Sequence, residues 1–87
     1  MIIEKKTWPD LFNKVLSGEK TFDARLADFK CEIGDILILR EWDPKKEVYT
    51  GRKLEKKVTF VLKSRDLEKF WSKKEVDKYG LQIIAFK

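Results

Sequence analysis

Histidine is absent from this chain of 87 residues, and cysteine occurs once, at Cys31. The absence of histidine removes the commonest general base and the commonest zinc ligand. A single cysteine excludes an intrachain disulfide and a thiolate metal cluster. With no histidine to activate its thiol, Cys31 is interpreted as a structural residue. We therefore expect neither a bound metal nor a cofactor.

Long apolar runs are also missing. No segment approaches the length of about 20 apolar residues that a bilayer-spanning helix needs. The first residues, Met1-Ile2-Ile3-Glu4-Lys5-Lys6, carry their charges after the apolar positions and lack a secretory core. We expect a cytoplasmic protein with no membrane partner.

Charged residues, in contrast, make up 40% of the chain, against 43% hydrophobic residues. The apolar share argues against disorder, and the length predicts a single globular domain over residues 1–87, with a monomer as the expected state. The net charge of +5 permits a polyanionic partner, but the basic segments are interleaved with Asp and Glu, which also fits an ordinary solvated surface. The preponderance of Lys and Glu is typical of heat-stable proteins and suggests a thermophilic source.

Two segments have the character of helices. Pro9 to Leu16 follows a predicted cap at Thr7, carries one apolar face and is ended by Gly18. Ser64 to Tyr79 is predicted to be helical in short pieces, the last of which starts at a capping box with the spacing Ser72-x-x-Glu75.

Strands are predicted around these helices. Ile36 to Leu39 is a continuous apolar run, which is typical of a strand buried on both faces, and the chain then turns at Pro44 to Glu47. A longer strand with alternating apolar residues is predicted from Arg52 to Leu62. Shorter strands are predicted at Ile2–Ile3, Thr21–Arg25 and Leu81–Phe86. The order of elements predicts an α+β fold, a small mixed β-barrel of about five to six strands with two or three short helices.

The most informative stretch is Gly18-x-Lys20-x-x-Asp23-x-Arg25, at the junction between the first helix and a predicted strand. Side chains two apart on a strand share a face, so Asp23 and Arg25 are expected to point to one side while Phe22 points to the core. Arg25 and Lys20 suit phosphate, and Asp23 suits an exocyclic amine. The alternative is a cross-strand salt bridge on a solvated face.

This stretch resembles the Gly-x-Lys-x-x-Glu-x-Arg motif of ASCH domains, a branch of the PUA-like superfamily, with Asp23 where the family usually has Glu. The segments Gly34–Pro44 and Tyr49–Arg52 extend the resemblance, which covers most of residues 8–62. It implies a PUA-like barrel with the motif beside a cleft. It also implies a nucleic-acid-binding role, for RNA more than for DNA.

A second group of candidate residues surrounds the predicted turn, and an aromatic ring beside guanidinium groups is what unstacked bases need. In this hypothesis Trp42 is a platform over the motif cleft; alternatively, it covers one end of the barrel. The group consists of Arg40, Glu41, Trp42, Asp43, Tyr49 and Arg52.

Three functions follow as hypotheses. The first is a module that binds RNA or a nucleotide through the motif cleft. The second is an enzyme acting on a modified nucleoside, since some ASCH-like proteins resemble amidohydrolases that use a Thr, a Lys and a Glu. Asp23 occupies the position of that Thr, which leaves Lys20 and Asp23 as the only candidate catalytic pair. The third is a protein-interaction module, because fold does not fix function.

Overall fold

The computed structural model describes residues 1–26, 28–67 and 70–80. These residues form a mixed α+β structure, which confirms the predicted class. The described part contains three strands, fewer than the five to six expected, in an open sheet. The elements are β1 (Ile2–Thr7), α1 (Pro9–Leu16), β2 (Ile36–Asp43), β3 (Val48–Lys57), α2 (Ser64–Leu67) and α3 (Lys73–Tyr79).

The sheet has the order β1-β2-β3, with β1 parallel and β3 antiparallel to the central strand β2. Parallel neighbours need a crossover connection, and α1 lies within it. Both parallel strands therefore end at the same edge of the sheet, where Thr7 is paired with Glu41. This edge positions the candidate site.

The hairpin between β2 and β3 forms as predicted. The Asp43 carboxylate accepts hydrogen bonds from the backbone amides of Lys45 at 2.9 Å and Lys46 at 3.2 Å, which is the usual way an Asp stabilises a turn. A bulge then interrupts the ladder between Arg40 and Trp42, at the position of Gly51, whose φ is 98°.

The boundaries predicted for the long strand were wrong. β3 begins at Val48 rather than at Arg52 and ends at Lys57 rather than at Leu62. The Val58 carbonyl accepts a hydrogen bond from the Gly34 amide at 2.8 Å, and the Val58 amide donates to the Asp35 carbonyl at 2.9 Å. The pairing stops there because the segment that leads into β2 turns away at Gly34, whose φ is 96°. The alternating pattern beyond this point is not satisfied by a neighbouring strand among the described residues.

The described core lies between α1 and the centre of the sheet. Its buried apolar side chains are those of Phe12, Val15, Ile38 and Leu39. Ile38 and Leu39 are consecutive on β2 and so point to opposite faces, which confirms at these two positions that the strand is buried on both sides. The helix bounds agree with the prediction, but α1 is capped by Trp8 without a side-chain hydrogen bond, not by Thr7.

The motif segment is not a strand, contrary to the prediction. Thr21 to Arg25 has no regular secondary structure, and Phe22 is 40% exposed instead of buried. The segment is fixed to β1 through the Arg25 side chain rather than by a backbone ladder. The alternation of polar and apolar residues in this segment therefore does not indicate a strand.

At the other end, α3 has the predicted capping box, with Ser72 and Glu75 bonded reciprocally, and Gly80 ends the helix. The predicted closing strand Leu81–Phe86 lies outside the described residues. No helix in the described ranges is long and apolar enough to cross a bilayer.

Candidate ligand-binding site

The three charged residues of the motif meet in one ionic cluster. Asp23 accepts from the Lys20 ammonium at 3.3 Å through Oδ1 and from the Arg25 Nε at 2.5 Å through Oδ2. The loop that carries them leaves α1 at Gly18, and the backbone amide of Lys20 donates to the carbonyl of Lys14 at 3.0 Å. The cluster is thus tied to the end of the helix as well as held by its own charges.

Arg25 also connects the motif to the end of β1. Its Nη2 donates to the Lys6 carbonyl at 2.7 Å and to the Thr7 hydroxyl at 3.2 Å. The side chains of Lys20, Asp23 and Arg25 are only 12%, 19% and 26% exposed. These charged side chains are therefore partly shielded from solvent, although Asp23 and Arg25 are exposed as whole residues.

Beside this cluster, Arg25 lines a surface cavity of about 380 Å³ that is widely open to solvent. The Lys5 ammonium lies over the Phe29 ring at 3.7 Å from its centroid. Sequence reasoning selected neither Phe29 nor Lys5 as a site residue. The spacing of Lys5 two residues before Thr7 was the available signal, because it puts both on the motif side of β1. The cavity is lined by Lys5, Ala24, Arg25, Leu26, Asp28 and Phe29.

Glu41 and Arg52 form a second, separate ion pair on the same face of the sheet. The buried Glu41 carboxylate accepts from Arg52 at 3.0 and 2.6 Å and from the Thr50 hydroxyl at 2.6 Å. Arg52 further donates to the Asn13 side chain of α1 at 2.8 Å, and its guanidinium lies 4.8 Å from the centroid of Phe12. The pair therefore fastens β3 to α1.

These contacts also change the ionisation of the pair. The hydrogen bond from Arg52, followed by that from Thr50, lowers the pKa of Glu41 below its ordinary value, against the opposing effect of burial. The same contact with Glu41 raises the pKa of Arg52. Both groups remain charged at neutral pH, as a structural clamp requires.

The aromatic residues of the second group lie together, with two cations on their rings. Trp42 and Tyr49 meet edge to face, with centroids 4.9 Å apart and planes at 75°. The Lys6 ammonium is 3.9 Å from the centroid of Trp42, and the Arg40 guanidinium is 3.8 Å from that of Tyr49. We call Arg40, Trp42 and Tyr49 with Lys6 the aromatic cluster.

The aromatic cluster and the motif lie on opposite faces of the sheet. Consecutive strand residues point to opposite faces of a sheet. Lys6 and Thr7 therefore lie on opposite faces, and so do Glu41 and Trp42. Thr7 contacts Arg25, whereas Lys6 contacts Trp42. The expectation that Trp42 roofs the motif cleft was therefore wrong, because the pleat of β2 directs it to the other face.

The predicted site residues thus separate into two groups. Lys20, Asp23 and Arg25 share a face with Glu41 and Arg52, and Arg40, Trp42 and Tyr49 occupy the other. Within the described ranges, no group of three Cys, Asp or Glu side chains has the arrangement of a metal site.

Comparison with known proteins gives a family but no function. No curated protein and no solved structure shows significant similarity to the chain. The family model of a domain of unknown function matches residues 2–72, a range that includes the motif, the whole sheet and α1. Because this match spans most of the 87 residues, the chain belongs to the family described as a domain of unknown function (DUF3850).

Proposed function

We propose that the protein is a binding module for RNA or a nucleotide, with the cavity beside the motif as its ligand site. The observation that carries this proposal is the position of Arg25, whose guanidinium is held by Asp23 and β1 while its side chain lines the cavity. A cation fixed in this way needs little reordering when an anion arrives, which favours binding.

The chemistry of the cavity supports a nucleotide rather than a simple anion. Lys5 and Arg25 suit a phosphate, Asp28 can accept from an exocyclic amine, and Phe29 offers a ring at which a base can pack. The volume of about 380 Å³ falls within the range of small-ligand pockets, roughly 300–1,000 Å³. The net charge of +5 permits a polyanionic partner.

The proposal treats Asp23 as a positioning residue and not as a catalytic base. Each of its two carboxylate oxygens already receives a donor, one from Lys20 and one from Arg25. This occupancy favours a binding role over the amidohydrolase-like alternative.

The test is a fluorescence anisotropy titration of labelled single-stranded RNA at low salt with the wild type and two variants. Arg25→Ala removes the cation that lines the cavity, and Lys45→Ala is the matched control, because it removes one positive charge from the exposed hairpin turn. A lost charge-assisted contact costs about 1.5–3 kcal/mol, so we expect Arg25→Ala to weaken binding by about tenfold or more and Lys45→Ala by less than about twofold. Affinity should fall steeply with added salt.

Because Arg25 also bonds to β1, its removal can disturb the fold. Lys5→Gln therefore serves as a second cavity variant. Circular dichroism checks that Arg25→Ala and Lys5→Gln are both folded. Equal affinity of Arg25→Ala and Lys45→Ala, or no RNA binding by the wild type at low salt, would contradict the proposed function.

We also propose that the fold is a PUA-like barrel of the ASCH type, of which the described sheet is one part. The motif spacing and the mixed pairing of β1, β2 and β3 support this. So do Phe60 and Leu62, which are 72% and 49% exposed just beyond β3 and alternate as strand residues do. A closed barrel would give these side chains an interior to pack into.

A further inference from the structure

We propose that the face of the sheet opposite the motif carries a second contact for RNA, in which a nucleobase stacks on the Arg40 guanidinium. The proposal rests on the proposed RNA partner but not on the motif cavity, with which it shares no residue. Its ligand is a base that bears a phosphate.

The first argument is that Arg40 is presented as a flat surface. Its guanidinium carbon lies 3.8 Å above the Tyr49 ring, and Glu4 lies 3.9 Å from its Nη1. The ring lies within cation–π distance and the carboxylate within ion-pair distance, so both restrain the position of the guanidinium. The Arg40 side chain is 38% exposed, which leaves room for a planar ligand. Bases stack on arginine planes as they do on aromatic rings.

The second argument is that neighbouring side chains hold the Tyr49 ring in place beside Arg40. Trp42 meets Tyr49 edge to face, and the Lys6 ammonium lies over Trp42. These contacts fix the Tyr49 ring before any ligand binds. A base that stacks on Arg40 would therefore contact side chains that are already ordered, so its binding would cost little side-chain entropy.

The third argument is the cavity beside Arg40. It measures about 380 Å³, and the cationic side chains of Arg40 and Lys53 line it against the single carboxylate of Glu4, so Lys53 is the cation available to a phosphate. Arg52 also lines the cavity, but its guanidinium is paired with Glu41 on the opposite face of the sheet. Gly51, in the bulge, lines this cavity, and a Cβ there would meet no atom within 4 Å. Its lining residues are Glu4, Arg40, Tyr49, Gly51, Arg52 and Lys53.

These observations fit a nucleotide better than a bare phosphate. A base stacked on Arg40 leaves its contact with Glu4, at 3.9 Å, in place. Lys53 is the strand partner of Arg40 across the ladder and is exposed, which puts a second cation one strand spacing away for the phosphate.

The test is a two-dimensional ¹H–¹⁵N NMR titration of the full chain with adenosine 5′-monophosphate, adenosine and inorganic phosphate in separate series. We expect the monophosphate to shift the amides of Tyr49, Gly51 and Lys53 saturably, with an affinity on the order of millimolar. Adenosine should shift the same amides more weakly, and phosphate hardly at all. A short oligoadenylate should bind more tightly than the mononucleotide, which distinguishes RNA from a free nucleotide as the source of the base.

Arg40→Lys keeps the charge and removes the planar guanidinium. It should therefore lower the affinity for the monophosphate, measured from the shifts at Gly51 and Lys53, by about five- to tenfold. Arg65→Lys in α2 is the matched control and should change nothing. Tyr49→Phe, which keeps the ring under Arg40, should bind as the wild type does.

The outcomes separate this proposal from the proposed function. If the monophosphate shifts only the amides of residues 24–29, the second contact is wrong and the motif cavity remains the proposed ligand site. Equal shifts with phosphate and the monophosphate, or unchanged affinity of Arg40→Lys, would also overturn the second contact. Shifts at Gly51 and Lys53 together with an Arg25→Ala variant that binds RNA normally would support the second contact and remove the first.

Discussion

Arg25 and Arg52 are each held by a carboxylate, but the two ion pairs differ in burial. Glu41 is 4% exposed and receives three hydrogen bonds, whereas the side chains of the motif cluster are only partly shielded from solvent. Sequence reasoning selected all of these residues. It could bring Lys20, Asp23 and Arg25 together because they are neighbours in the chain. It could not pair Glu41 with Arg52, because that contact depends on how β2 and β3 pair.

The buried carboxylates predict a loss of stability in acid. The pKa of Glu41 is lowered from 4.5, chiefly by Arg52, and that of Asp35 from 3.8, chiefly by the backbone amide of Glu32. A group whose pKa is lower in the folded state contributes fully above its ordinary value and loses that contribution as the pH falls through the folded-state pKa. Unfolding by urea should therefore show constant stability near neutral pH and a decline below about pH 4.5.

Glu41→Gln identifies the share of this decline that belongs to Glu41. It should cost about 1–3 kcal/mol of unfolding free energy at neutral pH, because Arg52 loses its charged partner, and it should flatten the decline in acid. The matched control is Glu55→Gln, on the exposed side of β3. An acid decline as steep in Glu41→Gln as in the wild type would contradict this assignment.

The elements were predictable where local chemistry decides them. The bounds of α1 and the capping box of α3 follow from Pro9, Gly18 and the spacing of Ser72 and Glu75, and the structure agrees. The segment Thr21–Arg25 has the alternation of a strand but is held by a side chain, and no pattern within it reveals that tether. Tertiary contacts, which lie outside a sequence window, decided this element.

The bulge in β3 adjoins both the Arg40 cavity and the Glu41–Arg52 pair, because Gly51 lines that cavity and its neighbours Thr50 and Arg52 bond to Glu41. Gly51 holds the bulge at φ 98°, a conformation that strains residues with a Cβ. Gly51→Ala should lower the unfolding free energy by about 1–2 kcal/mol through backbone strain alone, since nothing blocks a Cβ there.

Gly51→Asn is the matched variant, because Asn tolerates a positive φ better than Ala. We expect it to lose less stability than Gly51→Ala in parallel thermal and urea unfolding, although it is the larger residue. The reverse order would mean that space, and not backbone conformation, limits this position.

On the scale of the whole molecule, the described core is small for the chain that it supports. Four apolar side chains are buried among the described residues, while a domain of this length depends on burying roughly 60–65% of the surface that its unfolded chain exposes. The α+β class was readable from the order of elements. The predicted barrel of five to six strands was not met among the described residues, which form three strands in an open sheet, because pairing between distant strands leaves no local signal in a sequence.

The barrel proposal makes a prediction at this scale. If Leu81 to Phe86 forms the closing strand that its alternation predicts, Ile83 faces the interior and Gln82 faces solvent. Ile83→Asn should then lower the unfolding free energy by about 2 kcal/mol or more, because it buries an amide without a partner, while Gln82→Asn should change it by less than about 0.5 kcal/mol. Urea unfolding of the two single variants beside the wild type measures both values. Equal and small effects would mean that the open sheet with α1 is stable by itself, and the barrel proposal would then be wrong, although Arg25 and Arg40 would keep their surroundings.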